Sequence, residues 1–475
     1  MIYKKRISIS LLSGLIVEIL NKIAPLIIIH VAQKRLGIEK LGYALFGVSV
    51  IELVTPLIVF GYNQYGVIAA GQQPKLTSKL MSGSLVLKLL HFVLLLGCLY
   101  LFFSYVPTYK TYFPLMMTLS ILLFFSAFDV LWVQTASQKV SISNLFVGFC
   151  RLLTLILILI FIKDANDAIL FAFLSLVGNA LVNVLSSMYS IRKFGLERPD
   201  VAFMKKIFRA SYPYALIGIL GIIGERMDIL FAERFGGLAG AGYYACCARL
   251  SHSLTQIANT IISAFFSEMV IIKDSESLYK HLRLGTWTLL FFLSPIIFGV
   301  WFVSGEILTF IFDSSFRSIK TVLGWLFLST SFTLLASSLG QQVLLLSGKV
   351  HTYTKALASG IFLSSILIYL FGGSNLYAIA IAMCIGKFFT LLIVLYAVHR
   401  NSIHIPLSIF FKTLMPGLVM CIVLLIFDFK SFFLNIGVGA VIFFIFAYLL
   451  NRQEFHYIVS LFLKAHRSQK NPFSS

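Results

Sequence analysis

The sequence predicts an all-α integral membrane protein with about fourteen transmembrane helices. Hydrophobic residues make up 59% of its 475 residues and charged residues only 12%, which is far more apolar than a typical soluble protein. The apolar runs last about 20 residues each, the length that an α-helix needs to cross the hydrocarbon core. They lack the short alternating pattern of a transmembrane β-barrel, so the spans are predicted to be helices.

The apolar runs and the polar breaks between them place the helices in order along the chain. The predicted spans are residues 7–30, 41–62, 80–105, 114–135, 143–162, 168–191, 212–233, 242–268, 284–304, 321–346, 353–371, 376–398, 413–428 and 433–451. The first run is too long for a signal-peptide core and lacks a cleavage site, so it is predicted to be retained. Lys and Arg concentrate in the loops and tails on one side, which predicts that both termini are cytoplasmic.

A weak internal repeat divides the predicted chain into two halves. Residues 35–43 open the second span with Arg-Leu-Gly and then Leu-Gly-Tyr, and residues 234–243 open the eighth with Arg-Phe-Gly and then Ala-Gly-Tyr. An even number of helices separates the copies, which predicts parallel repeats with a cleft between them. The predicted organisation is an N-terminal lobe (1–191), a basic cytoplasmic linker (192–211), a C-terminal lobe (212–400), two further helices (401–451) and a basic cytoplasmic tail (452–475).

Composition also excludes several classes of function. A net charge of +20 would suggest nucleic acid for a soluble protein, but here basic residues are expected at the cytoplasmic membrane face and in an anion pathway. The six cysteines lie in apolar runs without metal-ligand spacing and are predicted to be packing residues. No Walker loop, dinucleotide pattern or metal-ligand cluster occurs in the sequence, so no cofactor is expected. Energy is predicted to come from an ion gradient, the membrane potential or a substrate gradient.

Six cationic side chains inside the predicted spans are the strongest functional signal in the sequence. They are Lys22, Lys88, Arg151, Arg226, Arg249 and Lys387. A charge at the bilayer centre costs about 2.5 to 3.5 kcal/mol on insertion scales, so these residues are expected to face water, a partner or an anionic ligand. Because they come from different spans, a shared polar cavity is the economical explanation.

Local neutralisation of these cations is a second interpretation that the sequence leaves open. Glu18 and Lys22 are four residues apart on one face of the first helix and could neutralise each other. Arg226 could pair with Asp129 or Glu52 instead of lining the cleft.

Three intramembrane carboxylates are candidates for ion coupling. Glu225 and Asp228 share a face of the seventh helix, and two adjacent carboxylates in a low dielectric tend to hold one proton between them. They are predicted to take up a proton or a sodium ion on one side of the membrane and release it on the other, with Glu18 as the next candidate.

Two predicted helices carry polar stripes. The stripe on the sixth helix consists of Ser175, Asn179, Asn183, Ser186 and Ser190. The stripe on the eighth consists of Arg249, Ser253, Gln256, Asn259 or Thr260, and Ser263. Such stripes often serve only helix packing, whereas an arginine favours a helix that lines water, so both interpretations stay open.

Four short motifs, in order, resemble one known family. They are Leu36–Tyr43, Phe60–Tyr62, Trp132–Gln134, and Gly242–Tyr244 followed by Arg249. Together they are similar to the polysaccharide-transporter family, the O-antigen and oligosaccharide flippases of the multidrug/oligosaccharidyl-lipid/polysaccharide exporter superfamily. Many such proteins have twelve helices, whereas the sequence here predicts about fourteen, as in the related peptidoglycan-precursor flippases.

The resemblance implies a secondary-active transporter and not an enzyme. It implies two six-helix lobes around a central cavity, and transfer of undecaprenyl-diphosphate-linked sugar repeat units from the cytoplasmic to the outer leaflet of the bacterial inner membrane. The six cations would then hold the pyrophosphate and any acidic sugar. Membrane lipids, a coupling ion and other polysaccharide-assembly membrane proteins are the further expected partners, and nucleic acid is not. A multidrug antiporter of the same superfamily and a membrane enzyme of polysaccharide assembly are the alternatives.

Overall fold

The computed structural model describes residues 24–137, 140–269, 274–373, 375–400, 407–427, 431–452 and 454. These residues form α-helices joined by short turns and 3-10 segments, with one π-helix at Gly340–Leu345, and no strand occurs among them. The prediction of an all-α chain is confirmed. Glu18 and Lys22 lie outside the described residues.

Fifteen helices are numbered in chain order over the described residues. They are α1 (24–36), α2 (Ile38–Val59), α3 (Tyr62–Gln72), α4 (Thr77–Tyr105), α5 (Phe113–Ser126), α6 (Leu131–Ala136), α7 (Val140–Phe161), α8 (Ala168–Phe194), α9 (Val201–Met269), α10 (Ser275–Ile311), α11 (Lys320–Leu339), α12 (Val350–Phe371), α13 (Leu376–Arg400), α14 (Leu407–Ile426) and α15 (Phe432–Leu450).

Eleven helical segments of the described chain are long and apolar enough to cross a membrane. Each coincides with one predicted span. Of the other three predicted spans, the first lies mostly outside the described residues, and the seventh and eighth lie within α9. Helix α9 is two helices joined at Gly237, whose φ of 64° is left-handed and interrupts the helical backbone. A multi-pass helical membrane protein is therefore established, while the count of fourteen stays a prediction.

The described chain divides into two compact units. The first contains the residues up to Cys246 together with Ser365–Ile379, and the second contains Cys247–Ser364 and the residues from Ala380 onward. The division falls inside α9 and not in the predicted linker at 192–211. The predicted lobe boundaries stay predictions.

Each unit has an apolar core of its own. In the first unit, Tyr62, Met81 and Trp132 belong to a buried cluster that joins α3, α4, α6 and the start of α9. In the second unit, Met420 and Phe443 belong to a cluster that joins α14 and α15. Several polar residues of these helices are buried with the apolar ones, as is common where membrane helices pack.

The two copies of the predicted repeat contact each other directly within the first unit. A methyl group at Gly42 would overlap the carbonyl oxygen of Leu238, and one at Gly242 would overlap the carbonyl oxygen of Ile38. The contacts are reciprocal: Leu238 lies four positions before Gly242, and Ile38 lies four positions before Gly42. Only glycine allows two helix backbones to come this close. The sequence repeat thus coincides with a symmetric contact in space, although the repeat of the whole lobes stays a prediction.

Candidate functional site

A polar cavity of about 430 Å³ lies inside the first unit, between α2, α5, α7, α8 and α9. Its charged lining residues are Glu52, Asp129, Arg151 and Arg226. Two of the six predicted cations, on α7 and α9, are therefore brought to one cavity, as a shared anion site requires.

Arg226 both lines this cavity and pairs with Glu52. Its Nε lies 2.9 Å from the Oε2 atom of Glu52, and the two side chains are 18% and 27% exposed. The Nε–H is not aligned for a hydrogen bond, so the contact is a close approach of charges and not a fully formed bidentate bridge. The sequence left pairing and cavity lining as alternatives for Arg226, and in the structure both hold.

Arg151 lines the same cavity as Glu52 from another helix, α7. Its side chain is half-buried. One turn away, Thr154 also lines the cavity, but its hydroxyl donates to the Cys150 carbonyl oxygen at 2.9 Å. Two guanidinium groups and the Glu52 carboxylate thus line one cavity, and Arg226 is the arginine in direct contact with Glu52.

Lys88 lies in a buried network beside the cavity and is not among the described residues that line it. The side chain is fully buried, and its Nζ donates to Asn63 Oδ1 at 2.8 Å and to the backbone oxygen of Asp129 at 2.5 Å. Asn63 in turn donates to the Asp129 carboxylate at 2.6 Å, and that carboxylate also accepts from the Leu131 amide. The prediction that Lys88 contacts substrate directly gains no support from this arrangement.

The charged side chains of the cavity lining balance formally. Arg151 and Arg226 contribute two positive charges, and Glu52 and Asp129 contribute two negative ones. The fully buried Lys88 beside the cavity adds one positive charge, and the two guanidinium groups are the lining groups that can bind an anion.

The polar stripe on α8 divides into two parts with different partners. Ser175, Asn179 and Asn183 line the cavity. Ser175 donates to the Phe171 carbonyl oxygen at 2.8 Å, whereas Asn179 is exposed and Asn183 half-buried. The two amides make no side-chain hydrogen bond within the described chain, so they can offer donors and acceptors to a ligand.

The C-terminal part of the α8 stripe serves helix packing. Ser186, Ser190 and Gln134 are fully buried. The Gln134 amide donates to the Ser186 carbonyl oxygen at 3.2 Å and to Ser190 Oγ at 3.1 Å, and it accepts from the Ser186 hydroxyl at 3.1 Å. Both interpretations of the stripe therefore hold, one for each half of the helix.

The predicted coupling carboxylates lie near Arg226 but not on this cavity. Asp228 is 1% exposed, and its Oδ1 atom accepts the Ile229 amide at 2.9 Å. Glu225 is half-buried. Both lie within two residues of Arg226 on α9. Their role in coupling stays a prediction, as does that of Glu18.

The remaining predicted site residues belong to the second unit. Arg249 on α9 and Lys387 on α13 are both half-buried. In the stripe of the predicted eighth helix, Ser253 donates to the Leu250 carbonyl oxygen at 2.6 Å, while Asn259 and Thr260 are exposed. The side chains of Gln256 and Ser263 lie outside the described residues. Whether these residues contribute to a substrate site stays a prediction.

Sequence reasoning missed one member of the polar network. Asn63 connects Lys88 to the Asp129 carboxylate, yet it lies outside every polar stripe. Its only signal is its position directly after the Phe60–Tyr62 motif. Within the residues that the structure describes, no three His, Cys, Asp or Glu side chains group as metal ligands.

A family comparison supports this description. A family model described as "Polysaccharide biosynthesis protein" matches residues 9–272, which is more than half of the chain. A comparison with curated proteins gave no match.

Solved structures show where this fold occurs elsewhere. The MurJ lipid II flippase in an inward closed conformation has a TM-score of 0.74 at 18% identity and covers 92% of this chain and 98% of its own. An inward-facing multidrug resistance MATE family transporter of the MOP superfamily scores 0.61 at 15% identity, with coverages of 80% and 94%. A MOP superfamily transporter from Pyrococcus furiosus, described with a binding pocket of reverse polarity, scores 0.58 at 15% identity, with coverages of 82% and 94%. At these identities the similarity establishes a shared fold.

Proposed function

Because the chain belongs to the polysaccharide biosynthesis protein family, we propose that it is a flippase for lipid-linked oligosaccharides. Its substrate would be an undecaprenyl-diphosphate-linked repeat unit of an O-antigen or similar surface polysaccharide. The protein would move this unit from the cytoplasmic to the periplasmic leaflet of the bacterial inner membrane. The observation that carries the proposal is the cavity in which two arginines and two amides without internal partners lie together.

The chemistry of a diphosphate matches the arginines. A diphosphate carries about two negative charges and cannot cross hydrocarbon without compensation. Guanidinium groups offer several donors in one plane and bind phosphate oxygens in charge-assisted, often bidentate, hydrogen bonds. Arg151 and Arg226 lie on different helices around one cavity, so they can contact the diphosphate from two sides.

The amides extend the site toward a sugar. Asn179 and Asn183 line the same cavity, and a carboxamide can both donate to and accept from a hydroxyl. The prenyl tail can stay in the lipid, so only the head group needs a wet path. Lys22, Arg249 and Lys387 are proposed as further contacts along that path, and Lys88 is proposed to hold Asp129 in place at the cavity wall.

We propose alternating access as the transport step, in which the cavity is exposed to one side of the membrane and then to the other. No bond in the substrate needs to break. We propose a proton or sodium gradient as the driving force, with Glu225, Asp228 and Glu18 as the coupling carboxylates.

The experiment that tests this function measures which leaflet holds the lipid-linked oligosaccharide. Cells depleted of the protein should accumulate it on the cytoplasmic side, where a membrane-impermeant probe added from outside does not reach it. Arg151→Ala and Arg226→Ala should reproduce that accumulation while protein abundance in the membrane stays normal. Arg317→Ala removes an exposed arginine from the second unit and serves as the matched control.

The size of the expected effect follows from the lost hydrogen bonds. A hydrogen bond to a charged group contributes about 1.5 to 3 kcal/mol, which is about 10- to 100-fold in affinity. Arg226→Lys should restore part of the function, because it keeps the charge but not the planar set of donors. Normal leaflet distribution in both alanine variants would remove this cavity from the mechanism.

A multidrug antiporter is the second candidate, favoured by the two carboxylates in the cavity and by the similarity to MATE transporters. Its cargo is usually cationic, and the two arginines in the cavity lining argue against it. Increased drug susceptibility in depleted cells, with normal surface polysaccharide, would favour this candidate over the flippase.

A further inference from the structure

We propose that Glu52 is an internal competitor for the anion that the two arginines bind. Its carboxylate would occupy Arg226 until a diphosphate displaces it, so that Glu52 sets which anions can enter. This inference rests on the proposed function of the cavity, and it concerns how that site selects its ligand.

The position of Glu52 is the first support. Its carboxylate contacts Arg226 at 2.9 Å, and Glu52, Arg226 and Arg151 all line the cavity. A ligand oxygen that approached Arg226 from the cavity would therefore compete with the Glu52 carboxylate for the same guanidinium group.

The quality of the ion pair is the second support. The Nε–H of Arg226 makes no aligned hydrogen bond although the Glu52 Oε2 atom lies 2.9 Å from the nitrogen. A guanidinium group held for a structural purpose usually forms aligned, often bidentate, bonds with its carboxylate. Both side chains line the cavity and are partly exposed, at 18% and 27%, although the Nε atom itself is buried. A ligand in the cavity can therefore approach the pair from its exposed side.

Competition of this kind gives selectivity. A neutral sugar cannot replace a carboxylate at an arginine, and a monovalent anion offers no more charge than Glu52 does. A diphosphate offers about two charges and several acceptor oxygens, so it alone among these groups gains from the exchange. Glu52 would thus act as a repulsive element against weaker ligands, which is a common source of specificity.

A purely structural role for Glu52 predicts the opposite behaviour. If the carboxylate only holds Arg226 in place, its removal should loosen the arginine and weaken anion binding. If it competes, its removal should strengthen binding. The sign of the change therefore decides between the two roles.

The test measures binding of inorganic pyrophosphate to the purified full-length protein in lipid nanodiscs, by titration calorimetry. Glu52→Gln keeps the shape of the side chain and removes its charge. We expect this variant to bind pyrophosphate about fivefold more tightly than the wild type, the factor that a partly exposed ion pair provides. It should also bind inorganic phosphate measurably, so that the preference for pyrophosphate over phosphate falls.

Asp129→Asn is the matched control for net charge. It removes a second carboxylate from the same cavity, but one whose oxygens already accept from Asn63 and the Leu131 amide. If Asp129→Asn tightens binding as much as Glu52→Gln does, the effect is one of net charge and the competitor proposal is wrong. Unchanged or weaker binding in Glu52→Gln, with thermal stability retained, would also overturn it.

The arginine variants separate this proposal from the proposed function. If Arg151→Ala and Arg226→Ala weaken pyrophosphate binding but Glu52→Gln does not tighten it, the anion site stands and the competitor role fails. If the arginine variants bind pyrophosphate as the wild type does, the cavity is not the anion site and both proposals fail. Should Glu52→Gln not fold, Glu52→Asp offers a second variant. The shorter carboxylate should withdraw from Arg226 and give a smaller gain in affinity in the same direction.

Discussion

The cluster of Gln134, Ser186 and Ser190 gives the sharpest test of how the polar stripe on α8 is used. These three side chains are fully buried and make three hydrogen bonds between α6 and α8. Replacing Gln134 by Leu keeps a similar volume and removes all three bonds. We expect the variant to be less stable but to bind and transport its substrate as the wild type does.

The magnitude can be worked from the number of bonds. Hydrogen bonds between membrane helices contribute about 0.6 kcal/mol each on average, so three of them give about 2 kcal/mol. The loss of stability in Gln134→Leu should stay near this value, because the serine hydroxyl that loses Gln134 can donate to a backbone carbonyl oxygen in the preceding turn of its own helix. A loss of 2 kcal/mol changes the unfolding equilibrium constant by about 30-fold.

The assay is denaturant-induced unfolding of the purified protein in detergent, read alongside substrate binding. Gln72→Leu makes the same exchange at an exposed position at the end of α3 and should leave stability nearly unchanged. Asn179→Ala and Asn183→Ala should show the reverse pattern, with stability kept and binding weakened. A Gln134→Leu variant that unfolds like the wild type, or that keeps its stability and loses transport, would refute this division of the stripe.

Two further predictions concern backbone contacts and acid stability in the first unit. Gly42→Ala should destabilise the protein by about 1 to 3 kcal/mol, because the added methyl overlaps the backbone oxygen of Leu238; an unchanged melting temperature would contradict this. Asp200 caps the start of α9, where its carboxylate accepts hydrogen bonds from the Phe203 backbone amide and from the Lys79 ammonium group. These bonds hold the pKa of Asp200 below its ordinary value of 3.8. The ionised Asp200 carboxylate therefore stabilises the folded protein above pH 3.8. This contribution is lost as the pH falls through the pKa that Asp200 has in the folded protein. Asp200→Asn should therefore be less stable than the wild type at pH 7. At pH 3 the difference in melting temperature between the variant and the wild type should be smaller.

The fold could be predicted from the sequence because span length and apolarity are local properties. Eleven predicted spans coincide with helices of sufficient length and apolarity, since a run of about 20 apolar residues has few other structures open to it. For the interruption of α9 at Gly237, the sequence predicted only a gap between the spans 212–233 and 242–268. A left-handed glycine inside an otherwise helical stretch has no distinct signature in composition.

The candidate site could be predicted only in part, because it depends on which way each helix is turned. Arg151 and Arg226 were found from their position inside apolar spans, and the structure brings both to one cavity. Lys88 has the same signal in the sequence, yet it bonds to Asn63 and to the backbone of Asp129. Those partners lie 25 and 41 residues away along the chain, and the spacing of charges in one sequence does not reveal them.

Pairing and ligand binding are therefore compatible roles for a cation inside the membrane. A guanidinium group that binds an anion for part of a cycle needs another counter-charge for the rest of it, because an isolated charge in a low dielectric is costly. Arg226 meets this requirement with a carboxylate that lies on the cavity and is itself partly exposed. Lys88 is held by a neutral amide and a backbone carbonyl oxygen with no exposed surface, so no ligand can replace its partners without unfolding the network. The accessibility of the counter-charge, more than its presence, separates a cation that can exchange partners from one that stabilises the fold.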